Sequence, residues 1–144
     1  MVIPTGSELN DSGDIERLLI DIIDAFNSGD ADHISACFAE DAELSIPHGP
    51  DPWGFQIVGR KAIRELYARR LEDIPDLRWQ REEVFACGER GVMIITLNGR
   101  TRSGGTLNYR GCAVCTFRDG KILTMDSYWK GPVPYVVDDL KIGP

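Results

Sequence analysis

The stretch from Leu77 to Trp129, LRWQREEVFACGERGVMIITLNGRTRSGGTLNYRGCAVCTFRDGKILTMDSYW, decides the fold. Leu77–Ala86 reads as a long strand, ended by the turn-forming Cys87-Gly88-Glu89-Arg90-Gly91. Val92–Arg100 and Thr106–Phe117 flank Ser103-Gly104-Gly105 and read as a hairpin. Asp119-Gly120 is the dipeptide of a two-residue type I′ turn and leads into a last strand, Ile122–Trp129, with Gly131-Pro132-Val133-Pro134 closing the sheet. Four consecutive strands joined by short turns predict an antiparallel sheet.

The preceding residues carry a different period. Ile15, Leu18, Leu19, Ile22, Ile23 and Phe26 recur at helical spacing, with Asp14, Glu16, Asp21 and Asp24 off the stripe. Asn27-Ser28-Gly29-Asp30 stops that helix, and Asp30 is placed to cap a short second one over 31–38, with Ile34, Cys37 and Phe38 inward. Ala42–Ile46 reads as a short strand, and 47–54, with three prolines and two glycines, as a loop. A third helix spans about 59–72 with Ile63, Leu66, Tyr67 and Leu71 on one stripe, and Ile74-Pro75-Asp76 breaks it. Helices first and strands afterwards predict an α+β domain: a curved antiparallel sheet wrapped around three N-terminal helices, leaving a conical pocket at its open end. The expected boundaries are a tail over 1–13, one domain over 14–131 and a second tail over 132–144.

Composition agrees with a single domain. The chain has 144 residues, 42% of them hydrophobic and 27% charged, with a formal net charge of −7. That acidity disfavours nucleic acid as a partner. No apolar run approaches the ~20 residues of a membrane helix, and the first residues lack the basic start and apolar centre of a signal peptide, so a cytoplasmic protein is expected. Cys112 and Cys115 form a C-x-x-C, but on a strand residues three apart point to opposite faces; with Cys37 and Cys87 they are read as small hydrophobes of a reduced protein. Two distant histidines, His33 and His48, predict no metal site.

The segments FNSGDADHISACFAEDAELSIP, GRKAIRELY and FRDGKILTMDSYW resemble the nuclear transport factor two-like superfamily, and within it the SnoaL-like group, over about residues 14–130. The resemblance implies the cone-shaped fold, a homodimer formed through the outer sheet face, and no cofactor. It does not imply one activity, because relatives include ketosteroid isomerase and limonene epoxide hydrolase. The isomerase family's helix Tyr, base Asp and strand Asp correspond to Ile22, Ile46 and Ala113, all apolar here, whereas its supporting pocket Tyr corresponds to Tyr67. The hydrolase family's Asp-Arg-Asp falls on Asn98, Thr96 and Ser127, with its helper residues near Ser45 and Glu43. The carboxylates of both mechanisms are therefore missing.

What remains is a lining of neutral groups. Ile22, Phe26, Trp53, Thr96, Tyr109, Cys115, Met125 and Trp129 are expected to contact a small, largely apolar molecule of polyketide, terpenoid or steroid type. His48, Tyr67, Asn98 and Ser127 are the candidates for chemistry. His48 stands in the loop at the pocket mouth and carries the side chain that exchanges protons near neutral pH; a solvent-exposed loop histidine is the alternative. Tyr67 would donate a hydrogen bond, and Asn98 and Ser127 would orient the substrate. Dehydration, isomerisation or cyclisation by cofactor-free acid–base chemistry is expected, against the alternative of a ligand carrier. Arg60, Lys61, Arg64, Arg69 and Arg70 give the third helix a basic side, read as a solvated face.

Overall fold

The apolar stripe of the first helix sets the architecture. In the computed structural model, which describes residues 12–130, α1 (Ser12–Phe26) buries Ile15, Leu19, Ile22, Ile23, Ala25 and Phe26 against the sheet. It begins at Ser12, inside the expected tail; the remainder of that tail and residues 131–144 lie outside the described residues. Asp30 caps α2 (Ala31–Ser35), its carboxylate accepting from Asp32 N at 2.9 Å. The second helix is shorter than its sequence suggests. Phe38 is not its last residue but the first of β1 (Phe38–Ser45), and is wholly buried there.

Two features of the sheet were not legible. A three-residue strand, β2 (Gln56–Val58), pairs antiparallel with β1, and β1 itself runs parallel to the last strand. After α3 (Arg60–Asp73) come β3 (Arg78–Cys87), β4 (Arg90–Arg100), β5 (Thr106–Arg118) and β6 (Lys121–Lys130), the antiparallel meander read from Leu77–Trp129. The order is β2-β1-β6-β5-β4-β3, an open six-stranded sheet. The β5–β6 turn has positive φ at both central residues, 52° at Asp119 and 76° at Gly120, as a type I′ turn requires. Among the described residues no helix is long and apolar enough to cross a membrane.

The residues that carry the family resemblance hold these layers together. Asn27 donates to the carbonyl of Trp79 at 2.8 Å and accepts from its N–H at 2.7 Å, tying the end of α1 to the start of β3. Arg60 donates through Nε and a terminal nitrogen to the carbonyl of Phe38 at 2.8 and 2.7 Å, tying α3 to β1. Between the layers lies an aromatic core. Phe26 meets Trp79 edge-on at 4.5 Å between ring centroids and Tyr67 at 5.3 Å, and Trp79 meets Trp129 edge-on at 5.9 Å.

The sheet's inner face corrects one reading. On β4 the residues turned to the core are Gly91, Met93, Ile95 and Leu97, so Thr96 and Asn98 point to the outer face. Thr96 Oγ1 donates there to Glu82 at 2.8 Å. The physical reason is partition: when alternate residues must take opposite faces, burial of Leu97 against the core outweighs burial of two polar neighbours. On β5 and β6 the expected register holds, with Tyr109, Ala113, Cys115, Met125, Ser127 and Trp129 inward. Cys112 and Cys115 fall on opposite faces, and all four cysteines are free.

Candidate functional site

The C-terminal end of α3 and the far ends of β4–β6 leave a gap that side chains do not fill. Its walls are built by local constraints. The amide of Ile74 donates to the carbonyl of Arg70 at 2.8 Å and that of Leu77 to Ile74 at 3.1 Å, turning the chain sharply after the helix. Gly99 on β4, lacking a Cβ, lets Ile74 approach closely. Asp76 accepts from the amide of Arg100 at 2.8 Å, pinning this turn to the sheet. Across the sheet Gly111 stands opposite Trp129; a Cβ there would collide with the indole, so the glycine admits the ring to the cavity wall. The third wall is the loop after β1. Ile46 N donates to Phe55 O at 3.0 Å, and Phe55 N to the carbonyl of His48 at 2.7 Å, which holds the backbone of His48 at the rim.

The result is a cavity of about 160 Å³ lined by Pro47, His48, Arg70, Ile74, Leu77, Leu97, Leu107, Tyr109 and Trp129. Three of the expected site residues meet here: Tyr109 and Trp129, both half-buried, and His48, which borders the cavity as an exposed loop residue. A second hollow, about 240 Å³, lies across Trp129 between the 46–54 loop and β6, and takes in Trp53 and Ser127. Trp129 and Pro47 line both spaces. Ile22, Phe26, Cys115 and Met125 do not line either one. They are at most 2% exposed and fill the inner half of the cone, together with Trp79, so the open space is confined to its mouth. Asn98 and Thr96 stand on the other side of the sheet, so neither reaches a molecule in the cavity. Glu43 is exposed between Val58 and Thr124.

Tyr67 lies beneath the cavity, buried between Phe26 and Phe38. Burial pushes its phenol up to about 12, so it stays protonated at neutral pH and keeps its O–H as a donor. Burial likewise pushes the Cys115 thiol up to about 12, which leaves it without thiolate reactivity.

Arg70 is the residue the sequence reading misplaced. It belongs to the cavity wall and not to a solvated face: it is half-buried, with its guanidinium carbon 5.6 Å from the centre of the Tyr67 ring. The signal was present, since Ile63, Tyr67, Arg70 and Ile74 follow one another at intervals of four, three and four residues. An arginine on the apolar stripe of a helix is a different object from the outward Arg64 and Arg69.

The remaining basic groups behave as a solvated face. Arg60, Lys61 and Arg64 border a larger hollow, about 490 Å³, but Arg60 is committed to Phe38, Arg64 pairs with Asp32, and Glu40 and Asp41 share the lining. That hollow is wide, internally neutralised and remote from His48 and Tyr109, so volume does not select it over the smaller cavity.

The SnoaL-like domain model matches residues 19–125, most of the chain and every element from the middle of α1 to β6. The chain belongs to the SnoaL-like domain family. Comparison with curated proteins returned no match. Among solved structures this SnoaL-like chain is similar to SalBIII, described as an epoxide hydrolase/cyclase-like enzyme in pyran ring formation in the polyether salinomycin, with 20% identity, a TM-score of 0.73, and coverage of 84% of this chain and 94% of that one. It is similar to TerC, co-crystallised with polyporic acid, at 22% identity and a TM-score of 0.67, covering 79% and 89%. It is also similar to a protein of ketosteroid isomerase-like fold from Catenulispora acidiphila, at 15% identity and a TM-score of 0.68, covering 77% and 83%. At these identities the likeness is one of fold.

Proposed function

We propose that this SnoaL-like protein binds a small, largely apolar ring-bearing molecule in the cavity between α3 and β4–β6 and catalyses a cofactor-free acid–base reaction on it, with His48 moving the proton. The observation that carries this reading is the composition of the cavity: aliphatic and aromatic walls with Arg70 among them and the exposed His48 at the rim, its backbone held by the loop after β1. In so apolar a space a single well-placed hydrogen bond or charge acts strongly on a developing oxyanion. Ring closure, dehydration and double-bond isomerisation all need such a proton transfer, and the neighbours SalBIII and TerC lend weight to oxygenated ring systems as substrates.

The test is turnover of a panel of small hydroxy-epoxides, β-hydroxyketones and β,γ-unsaturated cyclic ketones, followed by NMR. Replacing His48 by Gln is expected to slow any turnover about 100-fold, the usual worth of a positioned acid–base group, without loss of binding. Turnover undiminished in that variant would remove His48 from the mechanism. One observation favours a second reading, a ligand carrier: among the described residues the cavity wall contains no carboxylate to serve as a base. Tight binding of panel members that are returned unchanged would establish it.

We also propose pairing of two copies through the outer sheet face, where Phe85 and Tyr128 are 40% and 56% exposed beside the outward Val92, Ile94 and Val114. Sedimentation as a monomer at micromolar concentration would contradict it.

A further inference from the structure

The cavity wall holds one permanent charge that the proposed acid–base chemistry leaves without a task. Arg70 projects from the last turn of α3 onto a surface otherwise made of Pro47, Ile74, Leu77, Leu97, Leu107, Trp129 and the rings of His48 and Tyr109. Among the described residues no carboxylate lies within ion-pair distance of Arg70, whereas Arg100, in the neighbouring turn, pairs with Asp76. The face of Tyr67 lies 5.6 Å from the guanidinium carbon of Arg70. A ring face offsets part of the cost of removing a guanidinium from water, but it leaves the planar N–H edge free. That edge is the group that grips carboxylates and related oxyanions in a two-point contact. The chain carries seven more acidic than basic groups, yet among the described residues no carboxylate lines this space.

We infer that the ligand of this cavity is an organic acid bound as its anion: a flat, apolar ring system whose carboxylate, enolate or phenolate oxygen lies against Arg70 while its rings rest between Trp129, Tyr109 and the leucines. The inference rests on the reading of this cavity as the ligand site and narrows it to a substrate class. It also divides the labour at the mouth. Arg70 fixes the anionic end, and His48, on the loop after β1, is left free to exchange a proton elsewhere on the same molecule.

A matched pair of probes tests this, 2-naphthoate and its neutral isostere 2-naphthamide, titrated calorimetrically into the full-length protein near neutral pH. The wild type is expected to bind the acid at least about tenfold more tightly than the amide, the usual advantage of a charge-assisted contact. Arg70→Met is expected to abolish that preference, so that acid and amide bind alike, and Arg70→Lys to retain part of it. Leu107→Trp, which fills the cavity, is expected to remove binding of both. An amide bound as well as the acid by the wild type, or an acid preference that survives Arg70→Met, would overturn the anion inference and leave the cavity reading standing. If neither probe binds the wild type, or if both still bind Leu107→Trp, the cavity is not the ligand site and both readings fall.

Discussion

Leu97 and Asn98 are adjacent in sequence and stand on opposite sides of the sheet, which gives a residue-level check of the site. Leu97→Ala removes three heavy atoms from the cavity wall and is expected to weaken ligand affinity several-fold, and to cost about 2–3 kcal/mol of stability because the side chain also packs in the core. Asn98→Ala, on the outer face, is expected to change affinity less than twofold. Calorimetric titration of either naphthalene probe checks both; a large loss in Asn98→Ala would mean that the inward register of β4 is wrong. The same pair shows what could be read beforehand. Val92–Asn98 is apolar on both alternations in its first half, so only the polar Thr96 and Asn98 mark the outer face, and correspondence with distant relatives places them inward instead. Arg70 was legible in principle from its place on the α3 stripe. Only the turn after α3 shows which wall it joins, and that turn is fixed by long-range contacts such as Asp76 with Arg100.

Among the elements, the connection of α1 to β3 explains why the fold could be read and the reaction could not. Asn27, Gly59-Arg60 and the run Phe38–Ala42 carry the family resemblance, and each is a device of assembly. Asn27 bridges to both backbone groups of Trp79, Arg60 clamps the carbonyl of Phe38, and Phe38, Ala39 and Ala42 are buried where β1 meets β6. None of them lines the cavity. Asn27→Ala is therefore expected to destabilise the protein by about 2–4 kcal/mol, since it leaves a part-buried N–H and C=O without partners, while the ligand affinity of the folded fraction is unchanged. Urea unfolding measures the first and calorimetry the second; a loss below about 0.5 kcal/mol would show that water satisfies Trp79 in its place. The parallel pairing of β1 with β6 escaped the sequence because it joins segments some eighty residues apart and needs no turn signal. The three residues of β2 were too few to show alternation.

For the molecule as a whole, the opposition is between an acidic exterior and a core that excludes charge. Tyr67 and Cys115 are buried and neutral, and burial holds both up to about 12 from their ordinary values of 10.0 and 9.0. Below about pH 9 both are protonated in the folded and unfolded chains, so their contribution to stability is constant and fully present. As pH rises from about 9 to 12 the unfolded chain releases these protons before the folded one does. Stability is then lost, by up to about 1.4 kcal/mol per pH unit for each group once its ordinary value is passed. Urea midpoints are expected to fall across that window and to fall less steeply in Tyr67→Phe; an unchanged slope in that variant would show that the phenol is not sealed from solvent.

The place of the ligand decides between these sites. The most direct measurement is a backbone and indole NMR titration of the full-length protein with 2-naphthoate. The cavity reading predicts shifts concentrated at His48, Arg70, Leu97, Leu107, Tyr109 and the Trp129 indole, with Val92, Ile94 and Val114 on the outer face unmoved. Shifts centred on the outer face, or on the Arg60–Lys61–Arg64 hollow, would contradict it.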